Sequence, residues 1–344
     1  MIQKSKFIPA KGLSNPHLQS IFPTLIRRHL KIKYRRERLE LADGDFIDLE
    51  WLGKGEGPIV IILHGMAGSA TSPYVKGIMQ NIAARGWRGV LMYYRGCSGE
   101  PNRLQQTYHF GKTTDLNDVL NYLHSTHPNT KIFAAGYSMG ANVLLKWLGE
   151  TPQQTQLQAA VAVSAPYDLR SASAAIRHGT GRFYQWLLMR DLRRYINNKY
   201  QYPHAPIDLK SVTKIKSFWD LDEKVIAPLN GFNSAIDYYH RSSCGPWIKN
   251  IKTPTLIIHA LDDPMIPMAT IPSADELSES VVLELSQHGG HVGFVGGSFK
   301  NPIFWLDTHI LDFFTPYLPA KVSNKNYLPI PHANNKRTAC HKSA

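Results

Sequence analysis

Apolar residues come along this chain in short unbroken runs. Ile59-Val60-Ile61-Ile62-Leu63, Val90-Leu91-Met92-Tyr93-Tyr94, Ile132-Phe133-Ala134-Ala135 after Lys131, Ala159-Ala160-Val161-Ala162-Val163-Ser164, Thr255-Leu256-Ile257-Ile258-His259 and Val281-Val282-Leu283-Glu284-Leu285 are too short for helices and rich in β-branched residues. Runs without alternation predict strands buried on both faces, as in a parallel sheet covered by helices. Between them, apolar residues recur at helical spacing over about 72–85, 113–125, 141–148 and 303–314. Strand and helix in alternation predict an α/β fold with a mostly parallel central sheet.

The alternation stops near Pro166 and resumes at Thr255. Residues 166–250 read as helical and carry aromatic clusters such as Phe183-Tyr184-Gln185-Trp186-Leu187-Leu188-Met189 and Phe218-Trp219. A helical insertion between two sheet strands sits over the carboxyl ends of the strands, where open α/β sheets place their sites. It is expected as a lid, the alternative being helices that simply pack on the body. The core then comprises 41–165 and 251–318, residues 1–40 form an arm of uncertain packing, and the Pro-, Asn- and Lys-rich stretch 319–344 is expected to be disordered and basic.

Composition is that of an ordinary globular chain, with 344 residues and 43% hydrophobic content. The net charge of +13 suggests nucleic acid until it is located: residues 1–39 carry +9 and 321–344 carry +5, which leaves 40–320 at −1. A second basic stretch spans 170–199, yet no helix-turn-helix, zinc-finger or RNA-recognition pattern accompanies these charges, so no nucleic-acid partner is expected. Solvated basic faces, or peripheral contact with an anionic membrane surface, account for them. No run approaches the roughly 18 apolar residues of a membrane span, and Met1-Ile2-Gln3-Lys4-Ser5-Lys6 opens no signal-peptide core, so a cytoplasmic location is expected. Cys97, Cys244 and Cys340 fit neither a disulfide framework nor a zinc set and are read as free thiols.

Gly136-Tyr137-Ser138-Met139-Gly140 lies where a predicted strand gives way to a predicted helix. A serine at the point of so sharp a turn needs small residues two before and two after it, which Gly136 and Gly140 supply. Such a serine is a nucleophile only with a base in reach and a carboxylate to orient that base. On this kind of sheet the order is serine, acid, histidine. Leu261-Asp262-Asp263-Pro264 follows one later strand and Ser286-Gln287-His288-Gly289-Gly290-His291 follows the next. Asp263, beside the proline, is read as the carboxylate, with Asp262 orienting the loop or facing solvent. His291, after the glycine pair, is read as the base and His288 as structural. Oxyanion donors are expected from the backbone N–H of Met139 at the helix start and from that of Met66 in His64-Gly65-Met66, unless Met66 merely packs. No metal or cofactor enters this chemistry.

With these residues in hand the chain resembles the α/β-hydrolase superfamily, and within it the YheT-like esterases of bacteria, relatives of the animal abhydrolase-domain lipases. The resemblance rests also on Asn15-Pro16-His17-Leu18-Gln19, Leu41-Ala42-Asp43-Gly44-Asp45, Arg95-Gly96-Cys97-Ser98-Gly99-Glu100-Pro101-Asn102-Arg103, Val163-Ser164-Ala165-Pro166 and His288-Gly289-Gly290-His291-Val292-Gly293-Phe294. It implies hydrolysis of small-molecule carboxylic esters through Ser138, Asp263 and His291, of short-chain carboxylesterase or acylglycerol lipase type. Thioester or peptide cleavage, acyl transfer on the same triad, and an inactive hydrolase fold that binds lipid or an acidic surface are the competing readings.

Overall fold

The computed structural model describes residues 1–27, 29–200 and 205–319. The stretch 320–344, most of the expected basic tail, therefore lies outside the described residues. A sheet of nine strands has the order β1-β9-β8-β7-β6-β4-β5-β3-β2. Its members are β1 (Ile2–Lys4), β2 (Arg35–Glu40), β3 (Phe46–Leu52), β4 (Ile59–Leu63), β5 (Arg88–Met92), β6 (Ile132–Tyr137), β7 (Leu157–Val163), β8 (Thr255–Ala260) and β9 (Val281–Ser286). From β1 to β5 through β9, β8, β7, β6 and β4 all pairings are parallel; β3 joins β5, and β2 joins β3, in antiparallel sense.

The central strands face packed layers on both sides. Along β4, Ile59, Ile61 and Leu63 enter one buried cluster while Val60 and Ile62 enter another, which is why these runs show no polar alternation. Helices α2 (Pro73–Ala84) and α11 (Trp305–Phe314) cover the second face, and α3 (Thr113–Thr126) and α4 (Met139–Glu150) the first. Between β7 and β8 the regular elements among the described residues are helical, among them α5 (Leu169–Ala175), α6 (Gly181–Lys199), α7 (Leu209–Val212), α8 (Phe218–Leu221), α9 (Ala227–Leu229) and α10 (Ala235–Ser242). None of the described helices is long and apolar enough to cross a membrane.

Residues 1–40, expected as an arm, enter the body at three places. β1 extends the sheet beside β9, α1 (Pro16–Arg27) packs against α2, and β2 forms the opposite edge. The polar sequence Arg-Arg-Glu-Arg-Leu-Glu of β2 carries no strand signal by itself. Its arginines are explained by register: Arg36 stands opposite Glu50 and Arg38 opposite Asp48, and each pair is joined by a salt bridge of 2.8 Å. That pairing lets β3 hold two carboxylates in a buried strand. A short hairpin, β10 (Val295–Gly297) with β11 (Pro302–Phe304), also lies outside the hydrophobic pattern.

From β4 the chain crosses to β5 on one side, then returns to place β6 on the other side of β4. That reversal is a topological switch point, where ligand sites form beyond the carboxyl ends of the strands.

Candidate active site

Ser138 directly follows β6 and has φ 53° and ψ −113°, an uncommon conformation for a residue with a side chain. The turn is tight enough to exclude side chains at both flanking glycines. A Cβ on Gly136 would lie 2.4 Å from the Gly140 carbonyl oxygen, and one on Gly140 would lie 2.3 Å from that of Leu63. Hydrogen bonds from Ser138 N to Val163 O (2.9 Å) and from Asn142 N to Ser138 O (3.1 Å) hold the serine backbone between sheet and helix. Met139 takes the first position of α4, so its N–H has no intrahelical acceptor and stands at the positive end of the helix dipole.

The register Leu63 to Gly136 brings the turn after β4 beside the elbow. Gly65 N donates to Tyr74 Oη at 2.8 Å and Ala67 N to Tyr108 Oη at 3.4 Å. Between them the Met66 N–H has no protein acceptor among the described residues, nor has that of Met139. Both methionines line the same cavity as Ser138.

Asp263 follows β8 and His291 follows β9. His291 Nε2 lies 2.9 Å from Ser138 Oγ, and its Nδ1 lies 2.8 Å from Asp263 Oδ2. The Asp263 side chain is fully closed off, and its other oxygen, Oδ1, accepts from Met265 N (2.8 Å) and Ile266 N (3.2 Å). Those two amides fix the carboxylate, whose Oδ2 is left for the imidazole. A carboxylate at Nδ1 keeps the proton there, so Nε2 is free to accept from the serine hydroxyl.

The neighbouring acid and histidine make a separate pair. Asp262 Oδ1 accepts from Gly290 N at 2.9 Å, and Oδ2 lies 3.3 Å from His288 Nδ1. Asp262 thus holds the histidine loop while Asp263 meets the histidine.

Sequence reasoning missed the part played by α1. Asn15 Oδ1 accepts from His17 N and Leu18 N, which caps α1. From that helix Ser20 Oγ accepts from His291 N at 2.9 Å, and Gln19 bonds both the N–H and the carbonyl of Val295. A Cβ on Gly290 would collide with the Pro16 carbonyl at 2.3 Å, so the glycine admits this close approach and also the loop's φ of 57°. The signal was present as the shared motif Asn15 to Gln19, but its spatial partner was not. Likewise Arg95 is buried against Asp115 (2.7 Å), Asp43 (2.7 Å) and Asp45 (3.2 Å), with Asn102 donating to Asp45 at 2.7 Å. This network fastens the β2–β3 turn to the loop after β5 and explains two motifs that touch no reacting group.

Ser138 and His291 open into a cavity of about 390 Å³. Its walls come from α1 (Pro23, Thr24), α6 (Tyr184, Leu188) and Phe218 and Ile226 of the helical stretch between β7 and β8. Other members of the aromatic cluster go elsewhere: Met189 is buried in the core, while Phe183 and Trp186 are exposed.

Three histidines away from the Ser138–His291–Asp263 contact are kept neutral by burial: the pKa is lowered to about 4 at His64 and His259 and to about 3 at His109. His64 Nδ1 donates to Gly65 O at 2.7 Å, which shapes the turn after β4. In the unfolded chain these imidazoles protonate below about 6.5, so their contribution to stability is complete above that pH and is lost towards pH 4. Asp222, raised to about 7 by loss of solvation, acts in the opposite direction, because the folded protein keeps a proton that the unfolded carboxyl releases. Urea unfolding between pH 6.5 and 4.5 is therefore expected to show stability falling with a net uptake of protons, to which carboxyls held below their usual range, such as Glu37 and Glu284, add at the acid end. Stability that stays level or rises across this interval contradicts the assignment.

The sheet, the elbow at the switch point and the helical insertion define the class of protein as one with an α/β-hydrolase fold. The chain belongs to the α/β-hydrolase family: the sequence model described as alpha/beta hydrolase fold matches residues 58–298. It is 40% identical over 323 residues to a protein of Escherichia coli K12 named "Putative esterase YheT", covering 92% of this chain and 95% of that one. It is 27% identical to the human protein named "Phospholipase ABHD3", over 84% of this chain and 73% of the other. Among solved structures, an esterase of Pyrococcus furiosus superposes with a TM-score of 0.56 at 17% identity, over 84% of this chain and 92% of that one, a likeness of fold.

Proposed function

We propose that this protein is a serine hydrolase that cleaves carboxylic esters of short-chain carboxylesterase or acylglycerol lipase type. The observation that carries the reading is the continuous contact from Asp263 through His291 to Ser138, with two amides beside the serine that have no acceptor among the described residues. Ser138 Oγ attacks the ester carbonyl as His291 Nε2 takes its proton, and Asp263 stabilises the imidazolium that forms. The developing oxyanion receives the N–H groups of Met66 and Met139, which are in place before the charge appears. His291 then returns the proton to the departing alcohol. A water molecule, activated in the same way, releases the acid from Ser138. The apolar cavity suits an apolar acyl group, and the names of the E. coli and human relatives support ester substrates.

A fluorophosphonate probe together with p-nitrophenyl esters of graded acyl length tests the reading. Labelling of one serine and turnover that varies with acyl length are expected; absence of both labelling and turnover refutes it. The same assay reports on α1. Ser20→Ala removes the acceptor of the His291 N–H, together with the donor to Pro16 O, and is expected to lower kcat about tenfold with KM little changed, since loss of the bond to His291 misplaces the base without altering the cavity's apolar walls. An unchanged kcat would show that Gln19 and Asp262 suffice to hold the loop.

A further inference from the structure

One wall of the cavity carries a carboxyl group that the relay does not use. Asp222 opens a π-helical turn, Asp222–Ile226, directly after α8, and this turn packs against α10. Such turns are rare and recur at functional sites. Asp222 Oδ2 accepts from Tyr239 Oη at 2.6 Å, and Tyr239 Oη lies 2.9 Å from Ser173 Oγ. A tyrosine hydroxyl has one proton, so the serine donates to the tyrosine and the tyrosine to the carboxyl. All three side chains line the cavity that contains Ser138.

Among the described residues, Asp222 Oδ1 has no hydrogen-bond partner and no Lys, Arg or His pairs with the carboxyl. The rest of this wall is apolar or aromatic, with Phe218, Leu221, Ile226 and Tyr238. A carboxyl group in such a setting costs free energy unless something bonds its open oxygen. Loss of solvation raises its pKa to about 7, so near neutrality it is available both as acid and as carboxylate. Either form bonds an alcohol, whereas an ammonium group would have to leave its charge-solvating water to enter the same apolar space.

We propose that Asp222, backed by Tyr239 and Ser173, is a specificity residue that binds a hydroxyl group on the substrate, which makes the preferred substrate a hydroxylated ester. This rests on the ester-hydrolase reading. The hydroxyl sits either on the acyl chain or on the alcohol, and the two positions are separable by experiment. A site built to bond a hydroxyl discriminates strongly against the analogue that lacks it, because its own polar atom is then left unpaired.

The test compares kcat/KM of the full chain for matched esters. Methyl octanoate is set against methyl 8-hydroxyoctanoate, and propyl octanoate against 1-monooctanoylglycerol, with methyl 8-aminooctanoate as the cationic control. The hydroxylated member of at least one pair is expected to be favoured about tenfold or more. Asp222→Leu is expected to remove that preference by lowering the rate on the hydroxylated ester alone. Asp222→Asn, isosteric and able to keep the Tyr239 bond, is expected to retain part of it and guards against a variant that fails to fold. No preference in either pair, a preference that survives Asp222→Leu, an equal loss on both members of a pair, or a stronger preference for the ammonium ester each overturns the proposal. Hydrolysis of plain and hydroxylated esters at equal rates overturns it alone; hydrolysis of none overturns the esterase reading as well.

Discussion

Ser138→Ala is expected to lower kcat for ester hydrolysis about a millionfold and to abolish fluorophosphonate labelling. The size follows from the chemistry proposed: without Oγ there is no acyl-enzyme, and only water positioned by His291 and the oxyanion donors remains. Folding should be nearly unaffected. Among the described residues the Oγ makes one hydrogen bond, to His291, and the positive φ of residue 138 is imposed on alanine as it is on serine. The strain is therefore already present in the native protein and is not added by the substitution. The measurement is single-turnover and steady-state hydrolysis of the best p-nitrophenyl ester, with the thermal midpoint recorded alongside. Residual activity within a hundredfold of wild type, in a folded variant, would remove Ser138 as the nucleophile.

Asp263→Asn is expected to cost about ten-thousandfold in kcat. The environment dictates how the amide will lie. Two backbone N–H groups, of Met265 and Ile266, point at Oδ1, so the asparagine oxygen takes that position and its NH₂ faces His291 Nδ1. A donor at Nδ1 forces the proton onto Nε2, where it opposes that of the serine hydroxyl. The base is then lost although nothing has moved. Asp262→Asn serves as the control: its oxygen still accepts from Gly290 N, and the expected change is within about tenfold. If instead the Asp262 variant collapses and the Asp263 variant retains activity, the two carboxylates have been assigned in the wrong order. Stability measured in parallel separates loss of chemistry from loss of the loop.

The parts of this molecule legible in the sequence are those whose physics is local. The strands β4 to β9 announce themselves because burial on both faces favours apolar residues at most positions. The elbow is legible because its turn leaves no room at Gly136 and Gly140. By contrast β2 reads as a charged loop, since its arginines acquire their sense only opposite Asp48 and Glu50 of β3. The first forty residues look like an arm because the partners of Met1 to Lys4, of Gln19 and of Ser20 lie more than two hundred and fifty positions away.

The same division holds at the site. Glycine spacing, strand ends and chain order single out Ser138, Asp263 and His291 as candidates, because each is constrained by the turn or strand beside it. Which of two adjacent acids meets which of two nearby histidines was decided by loop geometry, where a displacement of one residue exchanges the partners. The sequence by itself determined a parallel α/β sheet with a serine at a strand-to-helix turn, since hydrophobic burial and steric exclusion act within a few residues of their cause. Only the tertiary structure decided that α1 holds the histidine loop and that Asp222 enters the cavity wall. Both depend on helices that the sheet brings together from distant parts of the chain, and no local preference in either segment specifies its partner.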